Sequence, residues 1–135
     1  METLHPMLQR AYEPWTLGPL RLSNRYIKSA TNEGMARGGR PSQALMEHHR
    51  AIAAGGVGMT TLAYCAVSAD GRTFEDQVQL DEASIAPLRA VTDAIHREGA
   101  AASAQITHGG AFNFLKQLST PRALSASGGF NAAGA

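Results

Sequence analysis

Two apolar runs, residues 57–63 and 100–104, each begin directly after a helix-period segment that ends in glycine. No other feature constrains the fold as much. In the first helical segment Leu45, Met46, His49, Ile52 and Ala53 recur at spacings of three and four, which places them on one face. Ser42 is a good N-cap for it, and Gly55-Gly56 stops it because glycine takes the left-handed C′ conformation cheaply. The second is capped by Asp81 or Ser84, carries Ile85, Leu88, Val91, Thr92 and Ile95 at helical spacing, and closes at Glu98-Gly99. The runs themselves are nearly continuous in apolar, small or β-branched residues, the pattern of strands buried on both faces. With residues 26–30 as a first strand, the order is strand, helix, strand, helix, strand. Two consecutive right-handed crossovers in a parallel α/β sheet follow from that order.

A three-stranded parallel sheet has two open edges and cannot enclose a core of its own. The 135 residues are therefore expected to be the N-terminal portion of a single larger α/β domain, truncated after the third strand. Residues 13–22 read as two very short strands around a Gly18-Pro19 turn. Residues 32–41 read as a long loop, and residues 68–79 as a polar loop whose Asp70-Gly71-Arg72 is a turn signal. Periodicity is lost after Gly110, and residues 125–135 show no element.

Composition narrows the function classes. Twelve basic and eleven acidic residues leave a net charge of +1, which supplies no electrostatic case for nucleic acid or an anionic membrane. No apolar run approaches the ~20 residues of a membrane span, and residues 1–12 lack the apolar core of a secretory signal. One cysteine, Cys65, permits no internal disulfide, suggests no zinc site and fits a reducing cytoplasm. No metal ligands are expected.

The chemistry sits at strand ends. Gln105-Ile106-Thr107-His108 closes the third strand, where open α/β folds and (β/α) barrels place ligands. A glutamine amide there suits the edge of a planar heterocycle carrying both N–H and C=O groups; a satisfied core amide is the plainer alternative. His108 reads more simply as a strand-end histidine bonding a loop carbonyl than as a ring donor. In His48-His49 one ring faces the core and the other solvent, so they do not converge on a metal. Cys65 reads as a small core residue, Gly38-Gly39-Arg40 as a mobile loop in place of a phosphate cradle, and Arg25 and Arg37 as solvated or ion-paired. Gly56-Val57-Gly58 opens a strand and does not follow one, which argues against a nucleotide fingerprint.

Leu20-Arg21-Leu22-Ser23-Asn24-Arg25, the first strand, Ala54-Gly55-Gly56-Val57-Gly58, Asp70-Gly71-Arg72 and Gln105-Ile106-Thr107-His108, in that order, resemble the old yellow enzyme family of FMN-dependent NAD(P)H:flavin oxidoreductases. The resemblance implies a TIM (β/α)8 barrel of roughly 250 residues or more with its ligand at the carboxyl face. This chain would supply the N-terminal hairpin and the first three parallel strands with two intervening helices. It further implies that Ser29, Ala30, Thr31 and Asn32 run along the flavin ring, with Asn32 near the C4 carbonyl and N5. Tyr64 stands where the family usually has glycine or alanine beside the flavin, and Gln105 matches the glutamine that bonds the pyrimidine edge. The implied activity is hydride transfer from NAD(P)H through FMN to an activated alkene, a small-molecule substrate. The family's substrate-gripping His pair, its flavin-phosphate site and its proton donor match nothing in these residues, so the catalytic residues stay unknown and the segment alone is expected to be inactive. The alternatives are a non-catalytic remnant that binds flavin weakly or not at all, associating through its open sheet edges, and a different phosphate-binding α/β barrel.

Overall fold

The computed structural model describes residues 5–128. The chain opens with α1 (Pro6–Tyr12), a helix that sequence periodicity does not announce. Its proline lies in the first turn, where no N–H is required, and the His5 imidazole accepts from the Met7 amide at 3.3 Å. None of its residues is buried, so no apolar stripe marks it. The hairpin follows as expected: β1 (Trp15–Leu17) pairs antiparallel with β2 (Leu20–Leu22) around Gly18, whose φ of +56° the tight turn requires.

The main sheet is built around β4 (Met59–Ala66). On one edge it is paired in parallel by β6 (Ala101–Thr107), before and after an irregularity between Leu62 and Cys65. The other edge is shared by β3 (Ile27–Lys28), opposite Met59 and Thr60, and β5 (Val78–Gln79), opposite Cys65 and Ala66. The first strand is thus shorter than residues 26–30, and β5 is a strand inside what reads as a polar loop. Two residues are too few to show alternation, but Val78 is buried against the sheet.

α2 (Gln43–Ala54) and α3 (Ile85–Arg97) cover one face of the sheet. The Ser42 hydroxyl accepts from the Leu45 amide at 3.2 Å, as an N-cap should. Asp81 caps a 3-10 turn, Glu82–Ser84, that feeds α3. Leu45, Ala53, Leu62, Cys65, Val91 and Ile95 form the core between the layers, each at most 2% exposed. Ile85, which shares the helical spacing, is 57% exposed. Seven residues, nearly two turns, separate Ile85 from Thr92, so both lie on the flank of a face centred on Val91, Ala94 and Ile95.

Asn24 fastens the hairpin to the sheet. Its amide donates to the Gly56 carbonyl at 2.6 Å and its carbonyl accepts from the Tyr26 amide at 3.0 Å. Gly58 lies so close that a Cβ there would stand 2.6 Å from the Asn24 carbonyl oxygen. Gly38 and Gly39, at φ +55° and +77°, form a tight turn closed by mutual backbone hydrogen bonds between Arg37 and Arg40. The Gly39 carbonyl also accepts from the Gln79 amide at 2.8 Å. The expected mobile loop is instead an anchored turn. Residues 110–128 carry no helix or strand, while residues 129–135 of the expected featureless tail lie outside the described residues. Among the described residues, no helix is long and apolar enough to cross a membrane.

Candidate active site

Parallel pairing brings the carboxyl ends of β3, β4 and β6 to one end of the sheet. The face opposite the helices carries the polar side chains. There the Thr61 and Ser103 hydroxyls, at paired positions, hydrogen-bond at 2.8 Å. The ladder then slips: β4 takes three steps from Leu62 to Cys65 while β6 takes two, from Ala104 to Ile106. One extra residue in a strand is a β-bulge, which re-aims the side chains that follow it. Since paired residues share a face and neighbours alternate, Cys65 and Ile106 lie on the helix side. Tyr64 and Gln105 therefore stand together on the open face. The peptide between Ala63 and Tyr64 is cis.

Ser29 and Thr31, beyond β3, are exposed, whereas Ala30 and Asn32 are half-buried. The Asn32 carbonyl oxygen is buried and has no hydrogen-bond partner among the described residues. Gln105 is exposed, and its side-chain amide likewise has no partner among them. An orphaned acceptor and a free amide at one sheet end fit a planar heterocycle whose edge alternates N–H and C=O. These residues fit an isoalloxazine ring. All six expected contact positions belong to this one end of the sheet.

A buried polar cluster behind them has no counterpart in the sequence reading. The Glu33 carboxylate is 4% exposed; one oxygen pairs with the Lys28 ammonium, and the other accepts from the Ala63 amide at 3.0 Å. His49, fully buried, places Nε2 3.6 Å from Glu33 and Nδ1 2.8 Å from the Thr60 hydroxyl. At 3.6 Å the first contact is electrostatic and too long for a hydrogen bond. Nε2 has no hydrogen-bond partner among the described residues, and which of Nδ1 and the Thr60 hydroxyl donates follows from the tautomer. Burial by itself raises the Glu33 pKa, but His49, Lys28 and the Ala63 amide outweigh it and hold the carboxyl below the ordinary glutamate value. A glutamate between Asn32 and Gly34 in a loop carries no local sign of burial.

The loops above β6 are tied to each other. Buried Gln77 accepts from the Thr73 amide at 2.7 Å and donates to the Thr107 hydroxyl at 3.1 Å. Asp70 accepts from the Ser119 amide at 2.8 Å and from its hydroxyl, and the Phe74 and Phe114 rings stack at 5.6 Å. Gly71 of the expected turn packs so close to His108 that a Cβ would meet the ring at 2.8 Å. His108 Nδ1 accepts from the Gly110 amide at 3.0 Å, so its partner is an amide and not a carbonyl. Cys65 is fully buried and its thiol pKa is pushed up to about 11 by desolvation and the Glu33 charge, which makes it a core residue. Arg25 lies 4.0 Å from Glu13 and over the Trp15 ring. Among the described residues no three His, Cys, Asp or Glu side chains group as a metal site.

The sequence profile described as the NADH:flavin oxidoreductase / NADH oxidase family matches residues 10–134, and the chain belongs to that family. The 4,4'-dithiodibutanoate disulfide reductase of Rhodococcus erythropolis is 50% identical over 99 residues, covering 73% of this chain and 25% of that protein. The multifunctional alkene reductase/demethylase OYE of Caballeronia cordobensis is 34% identical over 105 residues, covering 76% of this chain and 15% of that protein. Among solved structures, 2-naphthoyl-CoA reductase with 2-naphthoyl-CoA superposes with a TM-score of 0.74 at 25% identity, over 78% of this chain and 16% of that one. The chain thus spans a quarter or less of the length of these relatives. Its unclosed parallel sheet is the N-terminal part of the TIM (β/α)8 barrel expected from the resemblance.

Proposed function

We propose that this chain forms the first part of the FMN site of an NAD(P)H-dependent oxidoreductase. The orphaned, buried carbonyl oxygen of Asn32 carries this reading, because a polar atom without a partner at a strand end calls for a ligand. Gln105 would hydrogen-bond the pyrimidine edge of the ring and set its orientation. Asn32 would reach the C4–N5 side, where its amide N–H would donate to the electron-rich reduced ring and its orphaned carbonyl oxygen would accept only from the N5–H that the reduced ring carries. Ser29, Ala30 and Thr31 would lie along the ring, and Tyr64 would narrow the space beside it. When bound, FMN supplies a two-electron centre able to take hydride from NAD(P)H and return it to a substrate. Members of this family named as alkene reductases act on alkenes, and an activated alkene is the substrate class we assign. The 50% identity to a disulfide reductase supports a second reading, an organic disulfide as the electron acceptor. No catalytic residue is assigned, and residues 1–135 read as one portion of a single barrel domain acting in the cytoplasm.

The test is spectroscopic. Protein purified with this chain should take up FMN, show bound-flavin absorption and bleach anaerobically on NADH or NADPH addition. An enone and an aliphatic disulfide are then compared as oxidants of the bleached protein. A protein that stays colourless after FMN addition would overturn the flavin reading.

A further inference from the structure

Resting on the flavin reading above, we propose that Glu33 is a positioning residue that holds Asn32 and Tyr64 in one fixed relation at the site. A bulge leaves the polar groups of its extra residue outside the ladder. On the β3 side, both groups of Ala63 go to one residue: its amide donates to the Glu33 carboxylate at 3.0 Å, and its carbonyl accepts from the Glu33 amide at 3.2 Å. The two residues next along the chain from this double clasp are Asn32, before Glu33, and Tyr64, after Ala63. One side chain therefore joins the end of the first strand to the bulge that aims Tyr64.

The carboxylate is itself held from behind. Lys28 pairs with it and also donates to the Thr61 carbonyl at 3.1 Å, two residues before the bulge. His49 faces it and is bonded to Thr60. Both supports therefore return to β4. Buried ion pairs are a poor source of stability, since apolar residues of similar volume serve as well or better. Fixing a geometry is the use this one has. Glu33 does not contact the open face, so its effect would pass through Tyr64 and Asn32.

The experiment uses uniformly 15N-labelled chain, with and without FMN. Lys28→Met is combined with Glu33→Ala or with Glu33→Gln, so that no ammonium is left buried without a counter-charge. Glutamine keeps an acceptor for the Ala63 amide, whereas alanine does not. In the alanine pair the Ala63 amide should exchange about tenfold faster and the FMN Kd should rise about tenfold, with shifted flavin absorption bands. The glutamine pair should recover most of both. Unchanged FMN affinity and spectrum in the alanine pair would overturn the proposal while leaving the flavin site intact. If the unsubstituted chain binds no FMN, the flavin reading fails by itself. Glu33 is then judged on the Ala63 exchange rate and the Tyr64 ring shifts: movement of both supports the clasp, and constancy of either ends it. Should the alanine pair not fold, the unsubstituted chain is titrated with acid. The Ala63 amide shift must then follow a carboxyl group titrating below the ordinary glutamate range, and a flat profile rejects the clasp.

Discussion

The two faces of the central sheet are built on different terms. On the helix side, Leu62 and Cys65 of β4 meet Leu45, Ala53, Val91 and Ile95, all at or near zero exposure. On the other side Thr61, Tyr64, Ser103 and Gln105 remain partly or fully exposed, and a buried carbonyl oxygen of Asn32 goes unpartnered. Packing is concentrated on the first face, and the proposed flavin contacts lie on the second. The faces meet at the bulge, where the Glu33 cluster ties α2 to β4 behind the open side.

The largest effect should come from the helix face. Ile95→Ala removes a fully buried α3 side chain from the core cluster and should cost ~2–5 kcal/mol in a urea unfolding titration. A loss below ~1 kcal/mol would mean that the packing between helices and sheet is loose, and the distinction between the faces would fall. Next comes Gly58→Ala. The new methyl would stand 2.6 Å from a backbone oxygen of Asn24, an atom that cannot swing aside as a flexible side chain would. Overpacking of this kind should cost ~1–3 kcal/mol. Because Asn24 seats the hairpin, the amide resonances of residues 15–22 should shift together with those of Gly56 and Tyr26.

Much of the helix face is legible from the sequence, and less of the open face is. α2 and α3 declare themselves through Ser42, Asp81, the terminal glycines and a three-and-four spacing, all of them local signals. β5 and the true length of β3 do not, because each is defined only by where it lands along β4. Glu33 is harder still: its partners Lys28 and Ala63 lie five and thirty residues away, and no local pattern announces that they meet. Asn32, Tyr64 and Gln105 come together as a candidate set only through family resemblance, with Gln105 alone marked by its place at a strand end. At Ile85 the buried face of α3 is narrower than the spacing of apolar residues suggests.

Acid should act on the junction and on two loop aspartates together. The Glu33 carboxyl is held below its ordinary pKa, and so are those of Asp81, through Arg40 and Ser84 against an opposing desolvation, and Asp70, through Ser119. A group with a depressed folded pKa contributes stability that is fully present above its unfolded value and is lost as pH falls through the folded one. The urea midpoint should thus be flat above the ordinary carboxylate range and fall below it. Lys28→Met combined with Glu33→Gln should flatten part of that acid limb. An unchanged slope would assign the whole acid dependence to the exposed aspartates.

The smallest change in stability, and the most direct test of the contrast, is Gln105→Ala. The side chain is exposed and bonds to nothing among the described residues, so its removal should move the unfolding free energy by no more than about 0.5 kcal/mol. If the open face is a flavin site, the same change removes a hydrogen-bonding amide worth ~0.5–1.5 kcal/mol, and FMN affinity should fall by roughly three- to tenfold. Fluorescence titration of FMN against both proteins measures the ratio, and urea titration of the same samples supplies the control. Affinity lost without stability separates the two faces. A stability loss as large as that of Ile95→Ala would instead place Gln105 in the fold itself and remove it from the site.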